Sequence, residues 1–203
     1  MLPNVSEVIE ALAGAGFDIV QPFDGALLDE HRRAGLLVGN TRTLWPTFVA
    51  ERTPGPDPFD RFVEARIDPI VRSAPAGTRV FYGHRMYDGA FVPLQRIAVA
   101  AGLGALSETQ LVIHPIYGPW FALRAAIVIE GEPPPPVPPV PPCICTAACR
   151  AAFEHAQRPS DRSSDWRAWL AVRDACPVGR THRYTEEQIE FHYVHGLLRT
   201  PAG

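Results

Sequence analysis

Four cysteines are the first residues in this chain whose type and spacing could do chemistry: Cys143, Cys145 and Cys149 lie close together, and Cys176 stands before Pro177. Thiolates in groups of four hold iron–sulfur clusters, and some cluster-binding runs finish in Cys-Pro; cysteine sets also hold zinc. The gaps here are one and three residues rather than the repeated two of cluster-binding runs, so free thiols are the favoured reading and a metal set of Cys143, Cys145, Cys149 and Cys176 the alternative. Arg124 is the second such residue. It interrupts the apolar run of residues 120–129, and a guanidinium is costly to bury unless it meets a carboxylate or phosphate, either an internal Asp or Glu or a ligand's anion. Upstream, Gln110, His114 and Tyr117 also sit where core is expected, and His114, before Pro115, either shapes a turn or touches a ligand. Serine-hydrolase elbows, P-loops and the dinucleotide fingerprint are absent; Gly102-Leu103-Gly104 precedes a strand, the wrong context for the last.

The elements that must position these residues follow from periodicity. Residues 94–104 place Leu94, Ile97, Ala98, Ala101 and Leu103 at helical spacing, with Gly102 and Gly104 ending the helix and allowing close approach of another surface. Residues 110–114 read as a strand, Pro115 and Gly118 as a loop, and 120–129 as a second, buried strand. Before this stretch, Asn4 and Glu7 form a capping-box pattern opening a helix through Val8, Ile9 and Leu12. Strands are expected over 17–23, 36–38 and 79–82, a helix from Trp45, and another over 59–71 with Phe59, Phe62, Val63, Ile67 and Ile70 on one face. Gly83, His84 and Arg85 end a strand, a common ligand position in layered folds. After it, GEPPPPVPPVPP forbids helix and favours an extended strap across the body. Thr185 and Gln188 repeat the capping box before a last helix, and the end of the chain is expected to be loose.

At 203 residues the chain can bury a core without staples. Its net charge of −3 offers no footprint for nucleic acid. No run approaches roughly eighteen apolar residues, and the first residues lack the pattern of a signal peptide, so a soluble cytoplasmic protein with reduced thiols is expected.

AGLG followed by LVIHPIYGPWFALR resembles the cobalamin-binding core of the CblC-type cobalamin-processing enzymes (cyanocobalamin reductase and alkylcobalamin dealkylase), which carry an IHPxxGxWFAIR segment. The same stretch is similar to epoxyqueuosine reductase, with its AGLGWIGKN helix end. WRAWLAVRDACPVGRTHRYTEEQIEFHY is similar to the later CblC segment with its tryptophan pair, RDA triplet and RYSEEQ helix start, so the likeness spans residues 82–193. It implies an α+β, flavin-nitroreductase-like fold, a mixed sheet flanked by helices, divided into a cobalamin-binding core over 1–130, a proline strap over 131–142 and a C-terminal helical extension over 143–203. It implies base-off cobalamin as ligand, glutathione as co-substrate, and FMN or FAD as the reductant, with a second copy of the chain left open as a partner. Arg124 matches the arginine of the WFAIR strand and Arg173 that of the RDA triplet, residues that hold glutathione carboxylates in the family. Gly102, Gly104, Gln110, His114, Pro115, Tyr117, Gly118, Trp120 and Phe121 form the corresponding corrin seat. The implied activity is reductive decyanation or glutathione-dependent dealkylation of cobalamin; an iron–sulfur, corrinoid-linked electron-transfer protein and a non-catalytic corrinoid carrier are the alternatives. Departures are Val99, where the family's animal members have histidine, a shorter segment over 103–109, and the lack of the paired CxxCxxC motifs of epoxyqueuosine reductase.

Overall fold

The periodic runs become seven helices and eight strands among the described residues of a computed structural model, which describes residues 5–158 and 166–197. They divide into two compact units: residues up to 103 with Ala122–Val140, and Gly104–Phe121 with the residues from 141 onward. Each unit is therefore built from two separate stretches of the chain.

The first unit is α+β and grows around strand β2. After helix α1 (Val5–Gly14) and strand β1 (Ile19–Asp24), β2 (Ala34–Asn40) reads AGLLVGN, and all seven residues are buried. An unbroken apolar strand of this kind belongs in the middle of a sheet with both faces covered. Helices α2 (Trp45–Glu51) and α3 (Pro58–Ser73) follow, then β3 (Arg79–Tyr82), a hairpin of β4 (Met86–Tyr87) and β5 (Ala90–Phe91), and α4 (Leu94–Ala100). Past β6 (Ala105–Leu106) and β7 (Val112–Ile113), which belong to the second unit, β8 (Ala122–Ile129) returns to complete the order β1-β2-β8-β3. Every pairing in this sheet is antiparallel, where a mixed sheet was expected. The short β1–β2 link suffices for an antiparallel neighbour, whereas a parallel one needs a long crossover. Opposite Gly35 in the register stands Phe23, whose ring occupies the place a Cβ would take.

Helix α3 presents Phe59, Phe62, Val63 and Ile67 as its buried face, the spacing of an amphipathic helix, and packs with α1. Helix α4 packs on β1, β2 and β8 and is shorter than its periodicity implies. Gly102, at φ +69°, turns the chain out of the helix, and the Gln21 side chain donates to Ala101 O at 3.0 Å. A Cβ on Gly102 would meet Val137 of the proline strap at 2.8 Å, and one on Gly131 would meet Val5 at 3.2 Å, so the strap runs against this unit as far as residue 140.

In the second unit β6 and β7 form a short hairpin, and α5 (Ala147–Ala156) packs on α6 (Trp166–Ala175) ahead of α7 (Glu186–Leu197). Its core joins Trp120, Leu170, Tyr184 and Ile189, with Trp166 and Tyr193 against it. The strand expected over 110–114 shrinks to two residues because Gln110 takes φ +61° at an exposed turn, where its N–H donates to Ser107 O. Thr185 caps α7 by accepting from Gln188 N at 3.2 Å, but the Gln188 side chain makes no return bond, so the capping box is half formed. Asn4 of the first capping pattern and residues 198–203 of the end lie outside the described residues.

Candidate functional site

Arg124 is held by the local structure of β2 and β8. The register between these strands shifts at Val38/Gly39, a bulge that re-aims the last residues of β2. Asn40, 0% exposed, then accepts from Arg124 Nε at 2.7 Å and donates from its own amide to Thr41 O. The guanidinium lies 4.4 Å above the Phe59 ring of α3, a cation–π arrangement. Asn40 and Phe59 are thus among the partners that Arg124 required. Thr41, buried next to Asn40, donates from its backbone N to Asp18 at 2.7 Å, and Asp18, itself exposed, also accepts from Thr43 Oγ1 at 2.7 Å.

The loop after β7 belongs to the second unit and is built on His114. His114 and Gly118 exchange backbone hydrogen bonds, closing a five-residue turn. Within it the imidazole Nδ1 accepts from Ile116 N at 3.1 Å and from Tyr117 N at 3.2 Å. An accepting Nδ1 places the ring proton on Nε2. The Tyr117 ring stacks on the imidazole at 4.5 Å, His182 meets Tyr117 edge-on at 4.9 Å, and Phe121 stands edge-on to His114 at 6.0 Å. Burial, with the charge of His182 second, holds the His114 pKa below its ordinary value.

The glycines of the expected corrin seat are closely packed. A Cβ on Gly118 would fall 2.0 Å from Val178 O, one on Gly179 2.2 Å from Tyr117 O, and one on Gly104 2.6 Å from Ile113 O. These glycines, and Gly102 against the strap, are each required by close packing within their unit. Trp120, 1% exposed, is core, and Phe121 is buried as well. What the loop leaves accessible is Pro115, Ile116 and part of His114 and Tyr117, while Gln110 lies out on the β6–β7 turn. Arg173 of α6 donates from Nη1 to Pro119 O at 3.2 Å, tying the helix to this loop. Arg173 and Arg124 belong to different units. Asp174, beside Arg173, accepts from Arg183 Nε at 2.6 Å, and Arg183 lies 5.6 Å from the centre of the Trp120 ring. The RDA triplet and the RY pair are thereby joined.

All four cysteines are free thiols, Cys145, Cys149 and Cys176 buried and Cys143 partly so. Cys149 Sγ lies 3.2 Å from Thr146 Oγ1 and 3.4 Å from Ala175 O. Burial, then the neighbouring Cys145 and Cys176, push the Cys143 thiol up to about 11, and burial raises Cys176 too. Among the described residues no three His, Cys, Asp or Glu side chains are arranged to hold a metal ion. The threonine and carbonyl contacts belong to Cys149, while Cys143, Cys145, Cys149 and Cys176 lie near enough for the others to act on the Cys143 thiol.

A solved structure of the B12-trafficking protein CblC from C. elegans, a human MMACHC homologue, matches 92% of this chain and 89% of its own at a TM-score of 0.64 and 18% identity. The fold is CblC-like. Epoxyqueuosine reductase shares it at a TM-score of 0.58 and 13% identity, over 89% of this chain and 66% of that one. The Streptococcus thermophilus epoxyqueuosine reductase does so at 0.56 and 13%, over 90% and 68%. No family model and no curated protein matches the chain. On this CblC-like fold, sequence reasoning missed His182, Asn40 and Phe59 as functional neighbours. Asn40 and Phe59 are far from Arg124 in the chain and carry no motif; His182 lies in the GRTHRY run, whose spacing alone does not show that it returns to Tyr117. Among the described residues no helix is long and apolar enough to cross a membrane.

Proposed function

We propose that this chain binds a cobalamin and exchanges or removes the ligand on its upper axial face. The observation that carries this reading is the pairing of a CblC-like fold over 92% of the chain with the HPIYGPWFALR segment that resembles that family's core. In this reading the core is flavin-nitroreductase-like and holds cobalamin base-off. Loss of the axial nitrogen donor makes the cobalt easier to reduce. Pro115, Tyr117 and the exposed edge of His114 supply apolar and aromatic surface for the corrin face. Arg124 and Arg173 each offer guanidinium pairing to a carboxylate, the chemistry that the matching arginines of the CblC-type family use toward glutathione.

Two reactions follow by substrate. With an alkylcobalamin, the glutathione thiolate forms a carbon–sulfur bond as the cobalt–carbon bond breaks, its electron pair staying on cobalt, so Co(III) becomes Co(I) and the products are the thioether and the reduced corrinoid. With cyanocobalamin, one electron from a reduced flavin converts Co(III) to Co(II) and cyanide leaves as the anion.

The test is to mix purified protein with methylcobalamin or cyanocobalamin and record visible spectra, then add glutathione or reduced flavin under anaerobic conditions. Binding predicts a shift toward base-off bands and co-elution of the corrinoid on gel filtration; turnover predicts cob(I)alamin or cob(II)alamin bands. Unchanged spectra without co-elution defeat the proposal. Co-elution without turnover reduces it to a carrier.

A further inference from the structure

One side chain in the 114–118 loop holds that loop through a group that can titrate. His114 Nδ1 accepts two backbone N–H groups at once, Ile116 at 3.1 Å and Tyr117 at 3.2 Å. An imidazole does this only while neutral, because the protonated ring has a hydrogen on both nitrogens and no acceptor. The same two amides, two and three residues after the side chain, are the ones that an asparagine carboxamide oxygen bonds in an Asx turn. His114 therefore acts as an Asx-type cap with a titratable acceptor.

We propose that His114 is the positioning residue of the ligand-facing loop, and that its protonation releases the Ile116 and Tyr117 amides and with them the bound corrinoid. The proposal rests on the corrinoid reading for the ligand's identity, not for the loop's release. Three features of the structure tie the loop to the protonation state of the ring. The turn is closed at its base by the His114–Gly118 backbone pair, and Gly118 is locked against Val178 and Gly179, so the segment between has one anchored arrangement. Tyr117 stacks on the imidazole, so its ring moves with the histidine. Among the described residues the groups facing the ring are Tyr117 and Phe121 of its own segment and His182 of the 180–182 turn, with no carboxylate among them to stabilise an imidazolium. Burial and His182 both oppose the charged form, which keeps the lock shut at neutral pH and sets its opening below the ordinary value of 6.5.

The experiment follows the backbone amide signals of Ile116 and Tyr117 in ¹⁵N-labelled protein, without ligand, between about pH 8 and about pH 5, the range in which histidine titrates. The wild-type amides should move together with the His114 imidazole, at a shared midpoint below 6.5. His114→Asn should keep both amides at their hydrogen-bonded shifts throughout, with no midpoint. His182→Gln, which removes the opposing charge without touching the acceptor, should raise the midpoint. Amides that stay still while the imidazole titrates, or a midpoint that survives in His114→Asn, would overturn the proposal.

A second arm measures retention of cyanocobalamin, whose cyanide ligand does not titrate in this range. Retention should fall across the same midpoint in wild type and stay flat in His114→Asn. Titrating amides with no cyanocobalamin bound at any pH would reject the corrinoid reading and leave the loop device standing. Titrating amides with pH-independent retention would reject the proposed control of binding.

Discussion

Glycine is required at Gly118 for a reason that no window of sequence contains: a carbonyl from a residue 60 positions away, Val178, fills the space where a side chain would begin. Its φ of +58° adds a left-handed backbone. Gly118→Ala combines a collision with backbone strain and should lower stability by about 3–5 kcal/mol in urea titration. Gly14→Ala is the control. It closes helix α1 with nothing within 4 Å of its missing Cβ, and should be neutral or stabilising by about 0.5 kcal/mol. Other single residues were partly legible. Arg124 was recognisable as a buried charge in want of a partner, yet its partners Asn40 and Phe59 come from β2 and α3, and only the antiparallel register brings Asn40 to it. For His114 the sequence left turn and ligand open; the two amides on Nδ1 show the turn.

At the level of elements, local rules carried furthest where the element is local. β3 spans Arg79–Tyr82 as expected, and α3 uses the apolar face read from its spacing. Helix α5 is another case. Thr146 takes extended backbone and accepts from Cys149 N, the arrangement of an N-cap, so Thr146→Ala should cost about 1 kcal/mol in urea titration and fray the first turn, with far-ultraviolet circular dichroism nearly unchanged. Elements were shorter than expected for one long-range and one local reason. α4 stops at Ala100 because Gly102 accommodates Val137 of the strap, and the apolar run of 110–114 keeps only Val112–Ile113 in a strand because Gln110 takes the turn.

For the whole molecule, the titration of His114 links stability to pH. Its folded pKa lies below 6.5, so between the two values the unfolded chain binds more protons, and stability rises with pH there. This contribution is complete above 6.5 and is lost as pH falls toward the folded value. The urea midpoint of wild type should decline in that window more steeply than that of His114→Asn, the difference vanishing above it; parallel curves would contradict the assignment. The sequence by itself determined most helices and strands and the strap, because these follow from periodicity, proline and glycine chemistry within short windows, and its HPIYGPWFALR segment carried the resemblance that implied the α+β class. Tertiary structure alone decided that residues 104–121 join the C-terminal residues as one unit, that Trp120 is core, and that the conspicuous glycines serve packing. The physical reason is that van der Waals exclusion and burial are settled between atoms far apart in the chain, and an apolar ring or a missing Cβ has the same letter whichever surface it meets.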